Sequence, residues 1–287
     1  MLAILFSVLA GFCFAASSVF SQKGLSLLAT PWAVLITLIS NCLLLWLIYF
    51  LSHPALPTFT SAHFPFVLIG IFVPGVTRLL VFRGLKELGS SITSTVVNST
   101  PMFSATLAII FLQERPGPLV LSGIGLIVGG LATLSWGGEK RSWSRVELLY
   151  PILAALLFGA KDIVARWGLG AVGDPVSAAA ITVTSATVAI YVMFRYFQGN
   201  RFSMPPLRVS FWFVASGLFS GGSFLFQYQA LYIERVSIVS PIVNSYSVFV
   251  LFLAPLIVGK IERITPRKIV AALVIVAGVF LVTLGKD

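Results

Sequence analysis

Apolar positions along the chain fall into ten long runs, at 2–21, 31–51, 64–82, 91–112, 118–135, 148–167, 175–196, 209–227, 237–258 and 267–284. Each is close to the roughly 20 residues that a helix needs to cross a hydrocarbon core. The connections are short and hold most of the Lys and Arg, several Pro and both His. In lipid the backbone must satisfy its own hydrogen bonds, and runs of this length do so as helices. The pattern predicts an all-α, multi-pass integral membrane protein of ten transmembrane helices.

Composition agrees. Hydrophobic residues make up 58% of the 287 and charged residues 10%, against about 25% charged in soluble domains; the mean hydropathy is +1.01. The net charge of +10 comes from basic residues placed singly or in small groups at the ends of apolar runs. They read as headgroup anchors and orientation signals rather than a nucleic-acid surface. Cys13 and Cys42 lie inside apolar runs, so neither a disulfide nor a metal cluster is indicated. The nine acidic residues are scattered, and His53 and His63 share one loop without metal-ligand spacing. A membrane enzyme, a metal site and a bound cofactor are therefore disfavoured. The first run lacks a basic leader and is too long for the apolar core of a signal peptide, so a retained helix is expected.

The chain repeats itself. Residues 82–103 align with 228–249 at an offset of 146, with eight identities in 22 positions, and both copies contain Val-Asn-Ser (97–99 and 243–245). The first run aligns with the sixth at an offset of 144, pairing Phe14 with Phe158 and Ala16 with Ala160. Glu114-Arg115 pairs with Glu262-Arg263 and Gly130 with Gly278 at an offset of 148. Five helices followed by five must run in opposite senses, which predicts two inverted repeats, 1–138 and 148–287, related by a pseudo-two-fold axis in the membrane plane.

With these motifs the chain resembles the drug/metabolite transporter superfamily and, within it, the EamA family of ten-helix exporters. The polar stretch ending in Pro101, Leu-Gln-Glu-Arg at 112–115 and the Gly123 to Gly130 pattern carry the resemblance, echoed by Glu262-Arg263 and Gly278. The second copy departs from the first with Ser247 in place of Pro101 and Pro241 in place of Thr95. The resemblance implies export of small metabolites, often amino acids, through a cavity lined mainly by helices 1, 3, 4, 6, 8 and 9.

Candidate solute contacts are the polar residues inside the runs. Asn98 and Asn244 are repeat equivalents, joined by their neighbours Ser99, Ser245 and Tyr246. Pro101 frees the carbonyl of Val97 and Pro241 that of Ser237, so carbonyls beside amides could receive an ammonium or hydroxyl group; simple interhelical bonding competes with this reading. Lys161 and Asp162 sit inside the sixth run, where charge is costly and marks a cavity or a partner. Consecutive residues point about 100° apart on a helix, so one is expected at the cavity while the other meets Ser17, Ser18 or a carbonyl. Arg78 could hold a carboxylate, or snorkel with Arg83 and Lys86. Gln227 and Tyr228 complete the set. Gly125 with Gly129, and Gly217 with Gly221, read as close helix packing.

The first helix has no acid for proton–cation exchange, which counts against an organic-cation exporter; a nucleotide-sugar carrier or a lipid-linked flippase stays open. The expectation is a secondary transporter of a small zwitterionic or neutral metabolite, an amino acid before others, by alternating access. It would work as monomer or homodimer in the cell (inner) membrane. Of the 19 Lys and Arg, 13 lie in the loops between helices 1–2, 3–4, 5–6, 7–8 and 9–10, and only Arg115, Arg166, Arg235 and Lys286 on the other side. That count places both termini outside the cytoplasm, whereas the family resemblance implies termini inside.

Overall fold

A computed structural model describes residues 1–27, 32–53, 59–88, 90–135, 146–198, 206–258 and 266–285. The helices are α1 (Leu2–Leu27), α2 (Trp32–Ser52), α3 (Phe64–Gly70), α4 (Thr77–Leu88), α5 (Ser90–Val97), α6 (Thr100–Phe111) and α7 (Pro118–Ser135). They continue as α8 (Leu149–Val172), α9 (Pro175–Gln198), α10 (Leu207–Ile233), α11 (Val236–Asn244), α12 (Tyr246–Ile257) and α13 (Pro266–Leu284). Among the described residues, six spans are long and apolar enough to cross a membrane by themselves, counting α11 and α12 as one. The sixth apolar run, now α8, is also long enough at 24 residues, but it carries Lys161, Asp162 and Arg166.

Three of the ten apolar runs are not single helices. The third passes from α3 through a π-helical segment, Ile71–Val76, into α4, with Val73 at φ −124° and ψ 112°. Pro74 lies in that segment and cannot donate a backbone hydrogen bond. The fourth and ninth runs break at the two Val-Asn-Ser motifs. There Ser99 Oγ donates to Val96 O and Ser245 Oγ to Ile242 O, the same bond at equivalent positions. A serine hydroxyl competes for backbone carbonyls in this way. Pro101 assists only the first break, so the hydroxyl is the element common to both.

The bundle core forms where α1 lies along α10, α2 against α9 and α10, and α6 against α8. Leu35, Leu45, Phe66, Leu169 and Tyr228 fill it. A second core joins α7 to α13 through Ile124, Ile127, Leu131, Ile275 and Val282. There the backbones nearly touch: a Cβ on Gly123 would stand 2.6 Å from Gly278 O, and one on Gly278 2.7 Å from Gly123 O. Gly217 and Gly221 make the expected close approach, against α2. Gly125 and Gly129 do not, having nothing of the described chain within 4 Å. From Gly123, which faces α13, Gly125 lies about 200° and Gly129 about 240° around the helix, so both face away. The outer helix faces expose Leu43, Leu51, Phe111, Leu256, Leu273 and Phe280, as a lipid-facing surface requires.

One end of the bundle is tied by polar caps. Glu114 Oε1 accepts from Val236 N at 2.8 Å, and Oε2 from Ser237 N at 3.0 Å and Ser237 Oγ at 2.6 Å. Arg166 Nη1 donates to Leu231 O and Tyr232 O, 2.6 Å each, at the end of α10. Gly173, at φ 70°, ends α8 in the left-handed conformation, and Asp174 then caps α9 through Val176 N and Ser177 N. His53 Nε2 lies 3.9 Å from Asp174 Oδ2. This end is called the capped face below.

Candidate solute cavity

A cavity of about 420 Å³ lies inside the bundle, within the roughly 300–1,000 Å³ of ordinary ligand sites. Ser17, Ser18, Asn98, Lys161, Asp162, Gln227, Asn244 and Tyr246 all line it. Spans 1, 3, 4, 6, 8 and 9 supply most of the wall, and α2 and α9 add Thr37, Leu38, Thr182 and Ala186. The wall starts two residues into α2 at Val34 and reaches Ser21 and Val81. Toward the capped face it stops at Gln227, six residues before the end of α10, about 9 Å at 1.5 Å per residue. The void thus approaches the face opposite the caps and is sealed from the capped one.

Lys161 and Asp162 are the only charged side chains among the described residues of the wall. Contrary to the expectation that adjacent residues diverge, they face each other: Lys161 Nζ lies 3.0 Å from Asp162 Oδ1. The four-carbon lysine stem is long enough to fold the ammonium back over its neighbour. Gln227 fits between them, its Oε1 accepting from Lys161 Nζ at 3.1 Å and its Nε2 donating to Asp162 Oδ1 at 3.1 Å. The Asp162 side chain is 2% exposed and that of Lys161 10%, so Lys161 is the more open of the two. Two of its three donors are used. The Phe224 ring centroid lies 5.7 Å from Nζ.

Asp162 also gathers a line of donors. Asn244 Nδ2 donates to Ser240 Oγ at 3.3 Å, Ser240 Oγ to Ser104 Oγ at 2.9 Å, and Ser104 Oγ to Asp162 Oδ2 at 3.4 Å. The chain crosses from α11 through α6 to α8. Neither Ser104 nor Ser240 stood out in the sequence among many membrane serines. Their signal was position: Ser104 lies one residue past the repeated motif block, and Ser240 four residues before Asn244.

Other expectations are corrected. Ser17 bonds Ser216 of α10, hydroxyl to hydroxyl at 3.0 Å, and is an interhelical contact rather than a partner of α8. Ser99 and Ser245 are spent on the helix breaks. Thr100 Oγ1 donates to the Val97 carbonyl that Pro101 frees, at 2.6 Å, which occupies one of its two lone pairs. Tyr228 is fully buried in the core, bonded to Thr182 Oγ1 at 3.0 Å. Tyr246 stays in the wall, edge-on to Phe14 with centroids 4.6 Å apart. Arg78 belongs to α4, but its side chain lies outside the described residues. Its neighbour Thr77 instead brings to the wall a buried Oγ1 with no hydrogen-bond partner among the described residues. Thr77 follows the π-helical segment, a distortion frequent at functional sites.

The EamA-like transporter family model matches the chain twice, over residues 1–136 and 145–284. Phosphoenolpyruvate/phosphate translocator 1, chloroplastic, of Arabidopsis thaliana is 27% identical over 128 residues, 44% of this chain. The match spans 31% of the translocator's own length. A protein of known crystal structure superposes with a TM-score of 0.80 and 15% identity, over 99% of this chain and 97% of that one, a likeness of fold alone. The chain is a multi-pass membrane protein and belongs to the EamA-like transporter family.

Proposed function

We propose that the chain exports a small zwitterionic metabolite, an amino acid, by rocking two inverted five-helix repeats around this cavity. The observation that carries the reading is the Lys161–Asp162–Gln227 cluster on the wall. A carboxylate takes the spare donor of Lys161, and Asp162 with Asn98 and Asn244 receives the ammonium group. The paired charges sum to zero, which suits a zwitterion better than an ion of either sign. Equivalence of the repeats is supported by the matching Ser99 and Ser245 bonds, and their inversion by the odd number of spans in each half. With 13 of 19 Lys and Arg in the loops opposite the caps, the charge rule puts that side in the cytoplasm of a cell (inner) membrane and the termini outside. The cavity then approaches the cytoplasm, where an exporter loads.

A second reading, an organic anion, is favoured by Lys161, the more open of the pair, and by the name of the Arabidopsis relative. Asp162, 3.0 Å from Lys161 Nζ, opposes a multiply charged anion. The test is counterflow in proteoliposomes with labelled amino acids, organic cations, sugar phosphates and phosphoenolpyruvate. Neutral amino acids are expected to exchange. Exchange confined to cations or phosphates would overturn the zwitterion assignment.

A further inference from the structure

We propose that Glu114 is the latch of the gate at the capped face: its carboxylate holds α11 against the first half of the chain while the cavity is open to the other side. The inference rests on the alternating-access reading above, not on the identity of the solute. Glu114 comes from the short connection 112–117, where Gln113 adopts φ 54°, a conformation side chains seldom take. Glu114 N in turn bonds Ala108 O at 3.2 Å. This tight turn directs the carboxylate outward from the end of α6. Both of its oxygens are engaged by the first turn of α11, through two backbone N–H groups and the Ser237 hydroxyl.

The element so held is the one that must move. α11 is nine residues long and is separated from α12 by the break at Ser245, so it can shift as a unit. All of it from Val236 to Val243 is buried, between the cavity floor and the capped face, and Asn244 at its inner end is in the cavity wall. It has two polar holds on α6 and the connection that follows. One is Glu114 at the face, and the other is the Ser240–Ser104 bond beside Asp162. A solute that displaces Lys161 or Gln227 from Asp162 disturbs the inner hold. The outer hold is then what keeps the face shut. Polar bonds suit that task, because water replaces them at small net cost when the seam opens. Glu114 is thus a positioning residue for transport that touches no solute.

The test needs no solute. In a Cys13→Ala/Cys42→Ala background, Ser18→Cys places a thiol on the cavity wall, and a membrane-impermeant maleimide is applied from each face in vesicles of known orientation. The parent is expected to label from the side opposite the caps. Glu114→Gln should raise the capped-face rate relative to the other by about ten- to hundredfold, the value of losing charge-assisted hydrogen bonds. Ser237→Ala, which keeps both backbone bonds, should shift the ratio in the same direction by less. A merely structural cap would lower thermal stability and leave the ratio of the two rates alone. If Glu114→Gln does not fold, Ser237→Ala decides. An unchanged ratio in every folded variant overturns the latch.

Discussion

Removing the Asp162 charge tests the pairing on which the site depends. In the parent, the Lys161 ammonium is 3.0 Å from Asp162 Oδ1 with its side chain 10% exposed. Asp162→Asn keeps the shape and the Gln227 and Ser104 neighbours but strands that ammonium. Stranding one partner of an enclosed ion pair costs about 3–5 kcal/mol. Lys161 lines a cavity of about 420 Å³, in which solvent would screen its charge, so roughly 2–3 kcal/mol is expected. Lys161→Met strands the carboxylate, which is 2% exposed, and should cost as much or more. The double variant removes both charges and leaves none unpaired. It should therefore be no less stable than the worse single variant, giving a coupling of about 2 kcal/mol or more. Thermal unfolding in detergent, followed by tryptophan fluorescence, should show each single variant about 4–9 °C below the parent. The double variant should recover part of that loss. Strictly additive losses would refute the reasoning, because they mean that the two charges do not feel each other.

Because the charges on the wall cancel and the proposed solute is a zwitterion, initial transport rates should not respond to a valinomycin-imposed potential; a potential-dependent rate would contradict the pairing argument. Alkaline phosphatase fused after Asp287 should be active and a cytoplasmic reporter inactive there, with the reverse result assigning the termini to the cytoplasm. Gly278→Val should prevent the close crossing of α7 and α13, where an added Cβ already meets Gly123 O at 2.7 Å, and lower Tm by several degrees, about 1–3 kcal/mol of overpacking. Gly125→Val, on the open face of α7, should change Tm little.

The helices were legible because lipid enforces length and apolarity together. The breaks were less so, since hydropathy alone does not distinguish a continuous helix from two half-helices in line. The Val-Asn-Ser repeat did point to the right places, yet it was read as a solute contact throughout. Asn98 and Asn244 line the cavity together with Val97 and Val243, while the serines make the turns. The α8 pair was identified by its cost in the membrane, but its geometry was misjudged because a helical wheel places Cβ atoms, not the end of a lysine. The bridging role of Gln227, and Ser104 and Ser240 behind Asp162, arise only when α6, α8, α10 and α11 are packed. The sequence sets Ser104 beside the repeated block and Ser240 one turn before Asn244, but not their meeting with Asp162. Glu114 was read as a family marker, and its partner lies 122 residues away.

On the proposed reading a solute passes through this cavity, held by the α8 pair. Counterflow of radiolabelled amino acids into proteoliposomes, comparing the parent with Lys161→Ala, Asp162→Asn and Asn244→Ala, each first shown to insert and fold, tests it most directly. Apparent affinity should fall about ten- to hundredfold for Lys161→Ala and for Asp162→Asn, the value of about 1.5–3 kcal/mol for a charge-assisted hydrogen bond. A smaller loss is expected for Asn244→Ala. Parent-like transport by all three would place the solute elsewhere and leave these residues as contacts between helices.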